Sequence, residues 1–243
     1  MKTIINLLFA TVSIALITAC GGGGSGGSAT TNVDPQGIWV GTSSTGYAVN
    51  TVVLETGETW GIYSSGSIIY GALYGSAAVN GSSISIDGTD FDFTTNRSSR
   101  GNFSGTVAAK SSISLRSNNV TVPLTYRSSY DTPATAAAAV GTWAFIGRSG
   151  AYTLIPGAIT FDSSGRTVLN QTNCVTIGSM VPRSGGKNIY NINLSSSGVG
   201  CAVGQSSLSG VTYLDTSVTP NKFLALALTS DKSDGLIVIG TKQ

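Results

Sequence analysis

The 243-residue sequence contains no histidine. The commonest general base and triad partner is therefore missing, which excludes Ser-His-Asp and Cys-His mechanisms and removes the imidazole ligand most metal sites use. Charge is also scarce: Asp, Glu, Lys and Arg make up 10% of the chain, against roughly 25% in an average soluble domain. A surface so poor in charge has to be covered by Ser, Thr, Asn and Gly, a coat typical of secreted β proteins. The formal net charge is +2, and the basic residues stand mostly singly, as at Lys110, Arg116, Arg148, Arg166 and Lys222. No basic stripe can follow a phosphate backbone, so nucleic acid is not an expected partner. Helical periodicity is almost absent.

What the chain does have begins with Lys2, an apolar stretch from Ile4 to Ile17, and then Thr18, Ala19 and Cys20. A run of roughly 14 residues is shorter than the roughly 20 a membrane-spanning helix needs. It reads as a lipoprotein signal peptide over residues 1–19 with a lipobox-like end, cleaved before Cys20, whose acylation would hold the protein to a membrane. The alternative is an ordinary secretory peptide with a cysteine near its cleavage site. Residues 20–34 are mostly Gly, Ser, Ala and Thr with few large side chains to offset ordering entropy, and read as a tether. The two remaining cysteines, Cys174 and Cys201, are an expected disulfide in an oxidising compartment; two buried thiols are the alternative. Without histidine or a nearby acidic cluster they cannot complete a zinc site.

From Gly37 onward, short apolar and polar alternations follow one another about every 8 to 12 residues, as in consecutive hairpins. Val120, Val122, Leu124 and Tyr126 share one face. The same spacing unites Tyr190, Ile192 and Leu194, and again Leu224, Leu226 and Leu228 against Ala225 and Ala227. Each is expected to be a half-buried strand. Thr56-Gly57, Ser164-Gly165 and Gly185-Gly186 supply turn chemistry between such runs. Asp131 to Gly141 differs: Asp131 or Thr132 can cap, Pro133 suits a first turn, and four alanines favour helix. This predicts a short helical linker at 131–140 between a first β lobe at 35–130 and a second, disulfide-bearing lobe at 141–243. Gly37-Ile38-Trp39 matches Gly141-Thr142-Trp143 at an offset of 141 − 37 = 104 residues, as in a tandem repeat. About eight strand candidates follow each start, enough to close an antiparallel barrel. The expected fold is all-β, two antiparallel barrel-like lobes joined by a short helix; a single large sandwich is the competitor, because alternation alone does not distinguish closure from face-to-face packing.

Little chemistry is on offer. Gly23 to Gly27 match the nucleophile-elbow letters but lie in the tether, without the strand and helix that motif needs. Ser184 and Lys187 have the spacing of a serine-lysine dyad, yet Gly185 and Gly186 between them indicate a solvated turn. Asp87, Asp90 and Asp92 are the densest carboxylate group. They miss the helix-loop-helix calcium spacing, and alternation with Phe91 and Phe93 reads as a polar outer face beside a turn. No catalytic residue, metal or cofactor is therefore expected. Trp60, Tyr63, Tyr70 and Tyr74 concentrate aromatics in the first lobe and are the candidate binding residues, with core packing as the other explanation. Tyr70 and Tyr74 are expected on one face with Ala72 between them.

Gly-x-Trp at the head of a first strand resembles lipocalins, in which the tryptophan plugs one barrel end; Trp39 and Trp143 take that structural role by resemblance. The order of lipobox, Cys20, glycine run, two lobes and a Gly240-Thr241-Lys242 ending is similar to the transferrin-binding and factor H-binding surface lipoproteins of Gram-negative bacteria, and to a broad set of proteobacterial outer-membrane lipoproteins. Gly21 after the anchor, rather than aspartate, implies outer-membrane sorting in such proteins. The tether, the low charge and the missing catalytic groups lead to the expectation of a non-enzymatic binding or adhesion protein at the outer membrane, on the cell surface or the periplasmic face, with a host protein or glycan as partner. A periplasm-facing structural or envelope-assembly role, and a barrel that carries a small apolar ligand, remain alternatives.

Overall fold

The computed structural model describes residues 31–150 and 155–243; the expected signal peptide, Cys20 and residues 21–30 of the tether lie outside them. The regular secondary structure of the described chain is almost entirely antiparallel strand. Strands β1 (Gly37–Thr42), β2 (Ala48–Val53), β3 (Glu58–Ser65) and β4 (Ile68–Asn80) follow one another as hairpins. They continue into β5 (Ser83–Asp92), β6 (Arg97–Ala108), β7 (Ser112–Ser117) and β8 (Val120–Arg127). Each pairs with its predecessor, and β8 returns to β1 with Trp39 opposite Tyr126, closing the barrel. Closure leaves no free strand edge in this lobe.

The second lobe comprises β9 (Gly141–Arg148), β10 (Ile155–Phe161), β11 (Arg166–Gln171) and β12 (Cys174–Pro182). It ends with β13 (Tyr190–Ser197), β14 (Ser207–Asp215), β15 (Lys222–Thr229) and β16 (Gly235–Lys242). The strand order β10-β9-β16-β15-β14-β13-β12-β11 is the same circle left open at one seam, between β10 and β11. Pro156 lies in β10, where the missing N–H is tolerated because this strand forms an edge. The expected pair of barrel-like antiparallel lobes is thus observed, one closed and one nearly closed, and the sandwich is not.

The linker is shorter than the alanine run predicts. A 3-10 turn covers Ser128–Asp131 and the α-helix, α1, only Ala136–Ala139. Pro133 disfavours helical backbone at the residue before it, and Thr132 is extended at φ −81° and ψ 120°. The cap is therefore Thr135, whose hydroxyl accepts from Ala138 N at 3.3 Å, rather than Asp131 or Thr132. Asp131 instead accepts from Lys110 at 2.9 Å and Lys187 at 2.8 Å.

Three apolar groups hold the fold. One lies inside the first barrel, around Trp39, Ile86, Ile113 and Leu124; a second lies inside the other, around Trp143, Phe161, Ile192 and Phe223. The third is between them: Ile38, Ile62, Ala72, Phe91 and Phe93 on the outside of the first barrel meet Val211, Tyr213, Leu224, Leu226 and Leu228 on the outside of the second. β15 is consequently buried on both faces, with Ala225 and Ala227 inside and the leucines outside. That corrects the half-buried reading of Leu224 to Leu228. A near-continuous apolar strand is the mark of burial on both sides. Arg148 fastens the contact: its guanidinium donates to Ile69 O at 2.6 Å and to Phe93 O, and lies 5.2 Å over the Phe93 ring.

Candidate functional site

Both lobes are stoppered in the same way. Trp39 Nε1 donates to Pro35 O and Trp143 Nε1 to Ala139 O, each four residues back and each at 2.9 Å. Both rings are fully buried. Beyond the stopper the interiors diverge. The first barrel encloses a cavity of about 380 Å³, whereas the space left inside the second is about 70 Å³.

The cavity of the first barrel is a cup. Its walls are apolar, with Val49, Leu73, Ile86, Leu115, Val122 and Leu124 pointing inward from alternate strand positions. Its mouth lies where β1–β2, β3–β4, β5–β6 and β7–β8 turn, and carries Tyr47, Tyr63, Tyr70, Asp90, Asp92 and Thr94. Among the described residues, the two aspartates are the only charged ones that line it. Tyr47 packs against Tyr70 at 4.8 Å between ring centroids and against Tyr63 at 5.9 Å.

Two local features place these groups. The β3–β4 ladder pairs Tyr63 with Gly71 and Ser64 with Ile69, leaving Tyr70 without a partner on β3. Such a bulge re-aims a side chain. Ile69, Ala72 and Tyr74 therefore all pack between the barrels while Tyr70 turns into the cup, so Tyr70 and Tyr74 do not share the face that simple alternation assigns them. The second feature is Gly71. A Cβ there would stand 2.0 Å from Tyr63 Oη; the absent side chain lets the Tyr63 ring cross β4 and donate to Asp90 Oδ1 at 3.0 Å on β5.

The carboxylates sit in unlike surroundings. Burial pushes the Asp90 carboxyl up, with the Asp92 charge adding to it and the Tyr63 hydrogen bond opposing. Burial also works to raise Asp92, but hydrogen bonds from Thr94 and Thr95 outweigh it and hold that carboxyl below its ordinary value. The Tyr63 hydroxyl is pushed far up by burial and then by the Asp90 charge, so it stays a proton donor. The mouth thus combines a partly desolvated anion with aromatic faces. Phe93 N donates to Tyr70 O at 2.9 Å, and the Arg148 bonds to Ile69 and Phe93 brace the same backbone from the second lobe.

Of the four aromatics singled out from the sequence, Tyr63 and Tyr70 come together at the cup. Trp60 and Tyr74 do not. They pack edge to face at 4.6 Å in the region between the barrels, beneath Lys232 Nζ, which is 5.0 Å from the Tyr74 ring. Alternation alone puts Asp90 and Asp92 on a polar outer face. The structure reverses that assignment, because Phe91 and Phe93 are claimed by the contact with the second lobe and the alternate residues must then face inward. Asp87 is on the outside, bound by Arg100. Tyr47 joins the site without having been singled out; an aromatic directly after the Thr45-Gly46 turn is its signal. Among the described residues, no group of His, Cys, Asp and Glu is placed to hold a metal. Ser184 and Lys187 flank the turn before β13, and Lys187 is engaged by Asp131. Cys174 and Cys201 stand at disulfide distance, with sulfurs 2.05 Å apart, and tie the start of β12 to the loop before β14.

No protein-family model matches the chain, and no curated protein is similar to it. A solved structure of a protein with unknown function from the DUF3598 family of Nostoc punctiforme is similar over 86% of this chain and 96% of that one, at 9% identity and a TM-score of 0.26. That likeness is too slight to carry an argument.

Proposed function

We propose that the protein is a non-enzymatic binding lipoprotein whose first barrel receives a small amphiphilic molecule, tail inward and polar end at the mouth. The observation that carries this reading is the hollow: about 380 Å³ of apolar-walled space, within the usual range of ligand sites of about 300 to 1,000 Å³, in a lobe whose neighbour fills the corresponding volume with side chains. Membrane attachment through an acylated Cys20 belongs to the same reading, since a tethered cup samples amphiphiles where they are concentrated. The two lobes are on this view products of a duplication, one of which kept its interior open. The test is organic extraction of protein purified from its membrane, with mass spectrometry, alongside displacement of a fluorescent apolar probe. Bound lipid-like material, and probe binding abolished by Val49→Phe, are the expected results. Failure of every apolar probe to bind would overturn the reading.

Adhesion is the second reading, and one observation favours it. Val168 and Ile177, cross-strand partners on β11 and β12, are 62% and 54% exposed. Exposed apolar pairs of this kind occur at contact surfaces. Protease treatment of intact cells decides whether they face outward: digestion supports surface display at the outer membrane, while protection until that membrane is broken supports a periplasm-facing role.

A further inference from the structure

We propose that the polar end of the ligand is a cation, an alkylammonium group seated against the Tyr47, Tyr63 and Tyr70 cluster with Asp90 as its counter-charge. This rests on the first barrel being a ligand cup. The lining decides the class. Its two charged members are both acidic, and no Lys or Arg among the described residues lines the cup, so a fatty carboxylate or a phosphate would meet repulsion and no cationic partner. A neutral alcohol would leave the half-buried Asp90 without a counter-ion. An ammonium group would meet a carboxylate in a partly desolvated place, where opposite charges attract more strongly than in water. It would also meet aromatic faces. Tyr47 packs against Tyr70 at 4.8 Å and against Tyr63 at 5.9 Å between ring centroids, so the three rings form one contiguous aromatic surface at the mouth, and an ammonium group is attracted to the face of such a ring. Asp90 is already oriented for such a partner, because Tyr63 donates to one of its oxygens at 3.0 Å and thereby fixes the rotamer. Asp92 is occupied differently, accepting from Thr94 N at 2.8 Å, Thr94 Oγ1 at 2.6 Å and Thr95 Oγ1 at 3.0 Å. It shapes the rim and adds long-range attraction. The apolar walls from Val49 down to Leu124 then take the alkyl chain, whose burial supplies most of the affinity and little of the selectivity.

The experiment is titration calorimetry on the purified full-length protein with three probes of one chain length below their micelle concentrations: decyltrimethylammonium, decanol and decanoate. The cation is expected to bind about tenfold tighter than decanol, a difference of about 1.4 kcal/mol, and decanoate more weakly than either. Asp90→Asn is expected to bring the cation within about twofold of decanol, because cation binding weakens as its counter-charge is lost and the alcohol no longer strands a half-buried carboxylate. Tyr47→Leu, at a part-buried position on the rim, keeps an apolar side chain there and should reduce cation binding several-fold more than decanol binding. Equal binding of the three probes, or preference for decanoate, overturns the cation assignment and leaves the cup standing. Binding of none of them, or binding that Val49→Phe does not abolish, overturns the cup itself.

Discussion

The two barrels run eight strands in the same circular order around a tryptophan stopper, yet the one with the hollow interior is closed and the one with the filled interior is open at a seam. The divergence starts two residues past the stopper. With the offset of 104 that aligns Trp39 with Trp143, Phe145 corresponds to position 145 − 104 = 41, which is Gly41. Phe145 and Phe161 project into the second barrel, and the Phe223 ring packs on Trp143 at 5.4 Å. The first barrel has no comparable rings along β1. A filled interior holds its strands together by packing, so an unpaired seam between β10 and β11 is tolerated. A hollow barrel loses those contacts and relies on an unbroken ring of backbone hydrogen bonds and on support from outside, which the inter-barrel group around Ile62, Phe91 and Leu226 supplies. Closure and cavity are therefore complementary ways of using one topology.

The largest effects should come from the feature the barrels share. Trp39→Ala and Trp143→Ala each remove a fully buried ring and leave its indole acceptor unpaired; each is expected to cost about 3 to 5 kcal/mol in chemical denaturation. If the hollow barrel is held by its stopper, Trp39→Ala also abolishes probe binding. Retained binding would show that the cup is shaped from its outer wall instead. Next in size is the covalent tie found only in the second lobe. Cys174 and Cys201 are 27 residues apart in sequence, and closing such a loop is worth about 3 to 4 kcal/mol on the chain-entropy estimate. Reduction, or the double serine variant, should lower stability by about that much while cup occupancy at saturating probe stays unchanged below the new midpoint.

The comparison also shows which parts of the structure can be read from residue order. Strand alternation in Val120–Tyr126 and in Tyr190–Leu194, the Gly57 and Gly165 turns, the paired Gly-x-Trp starts and the cysteine pair are legible, because each depends on local periodicity or local backbone freedom. The faces of β5 and β15 are not. Alternation separates Asp90 and Asp92 from Phe91 and Phe93 but cannot say which set faces inward when a second lobe buries the outside. Giving the interior to the apolar face loses the carboxylates of the cup with it. The Tyr70 bulge is hidden for another reason: one extra residue in a ladder leaves no mark in a strand that reads as regular. Of the candidate site, residue order therefore yields two of the three tyrosines and places the counter-charge on the wrong side of the wall.

Filling the interiors separates the barrels by a smaller margin. Val49→Phe inserts a ring where about 380 Å³ is available and is expected to change stability by less than about 1 kcal/mol, or to raise it. Ile192→Phe meets a residual space of about 70 Å³ and should cost about 1 to 3 kcal/mol from overpacking. Equal penalties measured by urea denaturation would mean that the first interior collapses in solution, and the contrast between the lobes would fail.

The smallest effect concerns the joint between the lobes. Asp131 accepts from Lys187 at 2.8 Å, from Lys110 at 2.9 Å and from Tyr126 Oη at 3.0 Å, and these bonds, Lys187 foremost, hold its carboxyl well below the ordinary carboxylate range. A carboxyl depressed in the folded state contributes stability above its unfolded pKa and loses it as pH falls through the folded one. Both lysines are partly exposed, so solvent screening limits the contribution to about 1 kcal/mol or less. Asp131→Asn should therefore lower the melting temperature at pH 7 by about 2 to 4 °C, with the gap to the parent protein narrowing steadily below about pH 4 and shrinking in high salt. Calorimetry reads a second quantity in the same scan. Because the apolar group between the barrels outweighs these ion pairs, the variant should still unfold in one transition; a split into two would show that the lobes are joined chiefly by charge, and the hollow barrel would then have to stand without the outer support argued for it.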